Sequence, residues 1–200
     1  QGCENIVTQA FDYAQKFHRE SVTVVDKPNV LRETGGLMIR TAREVAKKYP
    51  GIELWETNID AQCMWLVKNP EDYEVIVAEN MFGDILSDCA AMLTGSLGML
   101  PSASLGAPDE GGRRRAMYEP VHGTAPDIVG TGKANPIGAV LSAAFMLEYS
   151  FGLGEEAAAV NAAVESVLSA GYRTADLASP GAEFSTTDHM TDLIIERLAS

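Results

Sequence analysis

Tyr73-Glu74-Val75-Ile76-Val77-Ala78-Glu79-Asn80-Met81-Phe82-Gly83-Asp84-Ile85-Leu86-Ser87-Asp88 passes from a short apolar run, through a polar turn, into a helix expected over 84–93. The run is too short for a helix and is rich in β-branched residues, so it reads as a buried strand, the clearest in the chain. A strand that feeds a helix is half of a β-α-β unit, and the flanking sequence supplies the rest. Upstream lie an expected helix over 5–19, with Ile6, Ala10, Tyr13, Ala14 and Phe17 on one face, and a β-branched strand over 21–25. A helix over 34–48, a strand over 52–57 and a helix over 61–68 with Asp60 as its cap follow. This alternation predicts an α/β architecture with its chemistry at strand ends.

Downstream the character changes. Residues 94–138 are rich in Gly, Pro and Ser with little periodicity, and they read as a long functional loop region. Helices are then expected over 137–149, 155–169 and 187–198, the second burying Val160, Ala163, Val164, Val167 and Leu168.

Composition sets the class. Of 200 residues 46% are hydrophobic and 22% charged, enough for a sizeable core. Fifteen basic against twenty-eight acidic residues leave a net charge of -13. That balance argues against nucleic acid or an anionic membrane as partner and suits cations. Cys3, Cys63 and Cys89 have no metal-ligand spacing and read as free thiols, which points to a reducing, cytoplasmic setting. The longest apolar stretch, about 140–147, is too short to span a bilayer. The chain begins Gln1-Gly2-Cys3 and its first methionine is Met38, which raises the expectation that it is part of something longer.

Several residues carry chemistry. Asp84 and Asp88, four apart, place two carboxylates on one helix face, a hard-oxygen pair suited to Mg²⁺ or Mn²⁺. The plainer reading is a dipole-complementing Asp84 and a solvated Asp88. The apolar residues between them favour the first, because like charges beside such a surface repel unless a cation sits between them. Lys27, directly after a strand, reads as a general base if partly desolvated near carboxylates, and otherwise as a solvated loop lysine. Asp60 reads most simply as a cap. His122-Gly123-Thr124-Ala125-Pro126-Asp127 exposes backbone that can wrap a nucleotide, with Asp127 placed to accept from ribose hydroxyls and to repel a 2′-phosphate. The chain contains neither G-x-G-x-x-G nor G-x-x-x-x-G-K-[ST], so any nucleotide site is of neither the Rossmann nor the P-loop kind. Arg113-Arg114-Arg115 reads as a solvated turn.

Four segments in order carry a resemblance. They are Asp26-Lys27-Pro28-Asn29-Val30-Leu31, Glu79 through Asp88, Gly95 through Gly106 (Gly-Ser-Leu-Gly-Met-Leu-Pro-Ser-Ala-Ser-Leu-Gly), and Glu119-Pro120-Val121-His122-Gly123-Thr124-Ala125-Pro126-Asp127. Together they resemble the β-decarboxylating dehydrogenases of 3-isopropylmalate, isocitrate and tartrate. Leu100 to Gly106 and Asp127 are most similar to the branch that acts on 3-isopropylmalate with NAD.

The resemblance implies an isopropylmalate/isocitrate dehydrogenase-like α/β fold whose N-terminal part is absent. Residues 1–94 would belong to a substrate and dimerisation domain and 95–200 to a cofactor-binding domain. It implies a homodimer that oxidatively decarboxylates a 2-hydroxy dicarboxylic acid, turning 3-isopropylmalate into 2-oxoisocaproate in leucine biosynthesis. Asp84 and Asp88 would bind Mg²⁺ or Mn²⁺ together with Asp60 of the other subunit, and Lys27, also supplied across the interface, would take the hydroxyl proton. His122, Gly123, Thr124, Ala125, Asp127, Ile128 and Asn135 would hold the adenosine part of NAD, and Glu119 would lie near its nicotinamide.

The Gly-rich turn at Thr34-Gly35-Gly36 and a lengthened stretch over 106–117 depart from the family pattern. The competing readings are a tartrate- or isocitrate-type relative, a non-catalytic dimerising fragment, and a metal-dependent hydrolase using only Asp60, Asp84 and Asp88.

Overall fold

The computed structural model describes residues 1–111 and 113–199 and separates into two compact units, Gln1–Leu93 and Thr94–Ser200. The first unit runs α1 (Gly2–Lys16), β1 (Ser21–Asp26), α2 (Arg32–Ala46), β2 (Glu53–Asn58), α3 (Ile59–Lys68), β3 (Val75–Ala78) and α4 (Asn80–Thr94). Its three strands form a parallel sheet in the order β2-β1-β3, with Asp26 opposite Asn58 and Val25 opposite both Thr57 and Ala78.

The central strand is β1, and all six of its residues are buried. The expectation that 73–78 is the clearest buried strand is corrected here. β3 is shorter and lies at an edge, with only Val77 fully buried. Apolar content marks a strand, but its place in the sheet decides how far it is buried. Alternate β1 side chains serve two faces. Val22 and Val24 pack with Val7, Phe11 and Ala14 of α1 and Met38, Ala42 and Val45 of α2. Val25 packs with Leu66 of α3 and Leu86 of α4. Phe11 also stacks on Tyr49, ring centroids 5.0 Å apart, and the Tyr49 hydroxyl donates to Asp12 Oδ1 at 2.6 Å. Burial, then this hydrogen bond and the Asp12 charge, push the Tyr49 pKa up to about 12.

Two boundaries differ from the sequence reading in ways that matter for the site. Thr34, Gly35 and Gly36 lie inside α2 and form no turn. A Cβ on Gly35 would collide with the Asp26 carboxylate and sit 3.2 Å from Pro28 Cα, so glycine lets α2 press against the end of β1. Asp60 is not the cap of α3. The helix begins at Ile59 with Asn58 at its N-cap, which leaves Asp60 in the first turn.

The second unit contains β4 (Pro101–Pro108), β5 (Arg114–Pro120), α5 (Ile137–Phe151), α6 (Gly154–Ser169) and α7 (Thr187–Leu198). Residues 94–138 are thus not one long loop: β4 and β5 pair antiparallel, with Ser102 opposite Glu119 and Leu105 opposite Ala116. Two prolines and a glycine broke the apolar alternation that would have announced β4. Arg114 and Arg115 belong to β5 and not to a turn; within the stretch 106–117, Gly112 lies outside the described residues. α5 packs on both strands, and Gly138 brings it so close that a Cβ there would lie 3.0 Å from the Gly98 carbonyl oxygen. Ile137, Ala163, Val164, Val167, Met190, Leu193 and Ile194 form this unit's core, while Val160 and Leu168 of the expected buried face are only half-buried.

Candidate active site

In the first unit, candidate residues collect at the carboxyl ends of the parallel strands, where open α/β sheets place their ligands. β1 ends at Asp26, whose buried carboxylate accepts the Lys27 backbone N–H at 2.6 Å. The Lys27 carbonyl then accepts from the N–H groups of Val30 and Leu31, closing a turn that fixes the lysine at the sheet's mouth. The neighbouring β2 ends at Asn58, two residues before Asp60. The Lys27 ammonium donates to Asp60 Oδ1 and forms an ion pair with it, and the lysine side chain is only 20% exposed against 67% for the aspartate. The hydrogen bond from Lys27, the largest influence, holds the Asp60 carboxyl below its usual pKa.

Asp84 and Asp88 lie on α4, but not at its start. Glu79 caps this helix, its Oε1 accepting from Phe82 N–H at 2.9 Å and its Oε2 from Met81 N–H at 3.1 Å. The helix therefore begins at Asn80, and the aspartates stand one and two turns further along. The sequence reading missed this cap, although a carboxylate just before an apolar periodic run is a signal for one. Both aspartates are exposed, one turn apart on one face, while Phe82 and Leu86 face the core. Neither carboxylate has a hydrogen bond or ion pair among the described residues, so four hard oxygens are free to meet a divalent cation. Asp60 is not gathered with them: among the described residues no cluster of three or more His, Cys, Asp or Glu side chains is placed to hold a metal.

In the second unit the candidate cofactor residues follow one another along the hairpin end and the segment after it. Glu119 is exposed near the end of β5, and Val121 N–H returns to the Leu100 carbonyl at 3.1 Å. His122 Nδ1 lies 2.9 Å from the Gly123 carbonyl oxygen. A carbonyl only accepts, so Nδ1 donates here, and in the tautomer with its proton on Nδ1, Nε2 is an acceptor. Ala125 takes a left-handed conformation, φ 41° and ψ 63°, before the short helical turn Pro126–Ile128 that presents Asp127 to solvent. Gly123, Thr124 and Ala125 are exposed and Ile128 is half-buried. A backbone this open, with an acceptor at each end, fits the sugar and base of a nucleotide.

Asn135 is differently placed. It is half-buried: Oδ1 accepts the Ile137 N–H at 3.0 Å and so satisfies a donor in the first turn of α5, while Nδ2 donates to Asp176 Oδ2 at 3.1 Å and lies 3.6 Å from Met99 Sδ. Asp176 was invisible to the sequence reading, which found no chemistry between α6 and α7. The Thr-x-Asp spacing of Thr174 and Asp176 is the one local cue.

The isocitrate/isopropylmalate dehydrogenase family matches residues 1–194. A 3-isopropylmalate dehydrogenase of Priestia megaterium is 55% identical over 98% of this chain, and one of Chlorobaculum tepidum is 48% identical over 98%. The chain spans about half the length of these relatives, 51% and 53%. Among solved structures, an isocitrate dehydrogenase from Methylococcus capsulatus is similar over 100% of this chain and 56% of its own, with TM-score 0.90 and 40% identity. A β-decarboxylating dehydrogenase from Thermococcus kodakarensis covers 99% of this chain and 55% of its own, with TM-score 0.83 and 38% identity. With the family matched along almost its whole length, the chain belongs to the isocitrate/isopropylmalate dehydrogenases.

Proposed function

We propose that this protein oxidises and decarboxylates a 2-hydroxy dicarboxylic acid, converting 3-isopropylmalate to 2-oxoisocaproate in leucine biosynthesis. The observation that carries the reading is the 55% identity, over nearly all of the chain, to a relative named for that substrate. Asp84 and Asp88 would hold Mg²⁺ or Mn²⁺, and residues 119–135 would hold NAD. The cation supplies Lewis acidity toward the hydroxyl and the keto group formed from it, and NAD⁺ supplies the hydride acceptor.

Lys27 Nζ takes the hydroxyl proton. To accept that proton Nζ must be in its neutral amine form, and Asp60, whose Oδ1 it contacts, orients it at the mouth of the sheet. His122 Nε2 accepts a hydrogen bond from the base, and Asp127 accepts from ribose hydroxyls while repelling a 2′-phosphate, which favours NAD over NADP.

Residues 1–94 form the substrate and dimerisation part and 95–200 the cofactor part. Two copies pair so that Lys27 and Asp60 of one complete the Asp84 and Asp88 site of the other. Two features support this: Asp60 does not join the α4 aspartates within the chain, and Met64 and Val67 of α3 and Met81, Ile85 and Met92 of α4 are exposed apolar residues of the kind that subunit contacts cover. No helix among the described residues is long and apolar enough to cross a membrane, and we place the enzyme in the cytoplasm, where free cysteines persist.

The test is turnover by the protein expressed from its complete reading frame. NADH should form from 3-isopropylmalate and Mn²⁺. Turnover of isocitrate or tartrate alone would move the substrate assignment, and Mn²⁺ binding with no response of the thermal melt to NAD⁺ would favour a metal-dependent hydrolase.

A further inference from the structure

Asp176 lies between α6 and α7, outside every segment to which a role has been given so far. Its carboxylate nevertheless joins three separate stretches of the second unit. Thr174, fully buried, donates its hydroxyl to Oδ1 at 2.5 Å; Asn135 Nδ2 donates to Oδ2 at 3.1 Å; and the Ser96 hydroxyl donates to it while Ser96 Oγ accepts from Gly98 N–H at 3.0 Å. Gly98 is shaped to the same cluster: a Cβ there would meet Asn135 Cβ at 2.8 Å and Asp176 Oδ2 at 3.0 Å. Partial desolvation, the largest influence, pushes the Asp176 pKa up, but the hydrogen bonds from Ser96, Thr174 and Asn135 outweigh it and hold the group below its usual value.

The consequence falls on Asn135. With Nδ2 directed at Asp176 and Met99 and Oδ1 on the Ile137 N–H, the amide's orientation is set by the Asp176 acceptor, because a flipped amide would face two acceptors with its oxygen and an N–H with its nitrogen. Asn135 closes the segment that starts at His122. The same segment is tied at Gly132 and Ala134, whose carbonyls accept from the Thr187 N–H at 2.9 Å and hydroxyl at 2.6 Å. The exposed stretch from Gly123 to Asp127 therefore runs between β5 and a segment anchored by Thr187 at Gly132 and Ala134 and by Asp176 at Asn135.

We propose that Asp176 is a positioning residue for cofactor binding: by fixing the Asn135 amide against the first turn of α5, it sets the conformation in which residues 122–135 receive NAD. This rests on the reading of that segment as the NAD site. A carboxylate that supports a binding loop from behind acts on cofactor affinity and not on the chemical step.

The test uses the protein expressed from its complete reading frame, with NAD⁺ and Mn²⁺ as separate titrants in calorimetry. Asp176→Ala should raise the Kd and KM for NAD⁺ about tenfold, leave Mn²⁺ affinity and kcat at saturating NAD⁺ unchanged, and speed hydrogen exchange at the Ile137 amide. Thr174→Val, which keeps the shape and removes one donor to the carboxylate, should shift NAD⁺ affinity in the same direction by less. An unchanged NAD⁺ Kd in Asp176→Ala would overturn the proposal, as would a parallel loss of NAD⁺ affinity, Mn²⁺ affinity and melting temperature, which marks a general structural role. A wild-type protein that binds Mn²⁺ but not NAD⁺ would instead remove the site reading on which the proposal stands.

Discussion

The metal-binding role proposed for Asp84 and Asp88 rests on what does not touch them. On the exposed face of α4, their carboxylates make no hydrogen bond or ion pair among the described residues and so spend nothing on the fold. Changing either to asparagine should leave the unfolding free energy within about 0.5 kcal/mol of wild type. Mn²⁺ affinity, read by calorimetry, should fall by about 100-fold or more as one anionic oxygen donor is lost. Asp176 is the opposite case, a carboxylate consumed by its neighbours. Its folded pKa is depressed, so the stability it contributes is fully present above about pH 4, its unfolded value, and drains away as the pH falls through the lowered folded value. An acid titration followed by circular dichroism should show Asp176→Asn less stable than wild type at neutral pH, with the two curves converging at the acid end. The aspartate pair was legible from a spacing of four. Asp176 was not, because its partners Ser96, Asn135 and Thr174 are spread along the chain and meet only on folding.

At the scale of elements, the ends carry the information. α4 begins where Glu79 caps it and not at the first aspartate, and α2 runs through a Gly-Gly pair that sequence reasoning takes for a turn. Gly35 is there for space. Gly35→Ala should destabilise the protein by about 2 kcal/mol in a denaturant titration, since the added methyl must displace the buried Asp26 carboxylate or the Pro28 backbone. It should also lower kcat by disturbing Lys27, the residue that follows Asp26. An effect on stability no larger than that of Gly36→Ala, whose Cβ would meet only the flexible end of Arg40 at 3.0 Å, would contradict this account. The β4–β5 hairpin was hidden for a different reason. Antiparallel pairing is satisfied by backbone groups, so a strand interrupted by Pro and Gly still pairs while giving no apolar alternation to read.

For the whole molecule, the absence of a three-carboxylate cluster among the described residues of one chain makes a distinct prediction. If Lys27 and Asp60 of one subunit serve the Asp84 and Asp88 of the other, Lys27→Ala and Asp84→Asn proteins are each inactive alone. Mixed and allowed to exchange subunits, they should recover about a quarter of wild-type activity, because half the dimers are mixed and each mixed dimer holds one intact site. No recovery despite exchange, verified by mass spectrometry of the mixed species, would place each site within a single subunit.

The sequence by itself determined that strands and helices alternate in the first half, that carboxylates and a lysine follow strand ends, and that a Gly- and Pro-rich segment precedes a helical end. These features are local: periodicity, turn chemistry and spacing along one helix need no distant partner to be read. Only the tertiary structure decided that β1 and not β3 is the buried centre of the sheet, that Lys27 meets Asp60 while Asp84 and Asp88 stay apart from it, and that Asp176 clasps Asn135. Each of these depends on which residues distant along the chain become neighbours. That is settled by the packing of whole elements and leaves no mark in any single stretch of sequence.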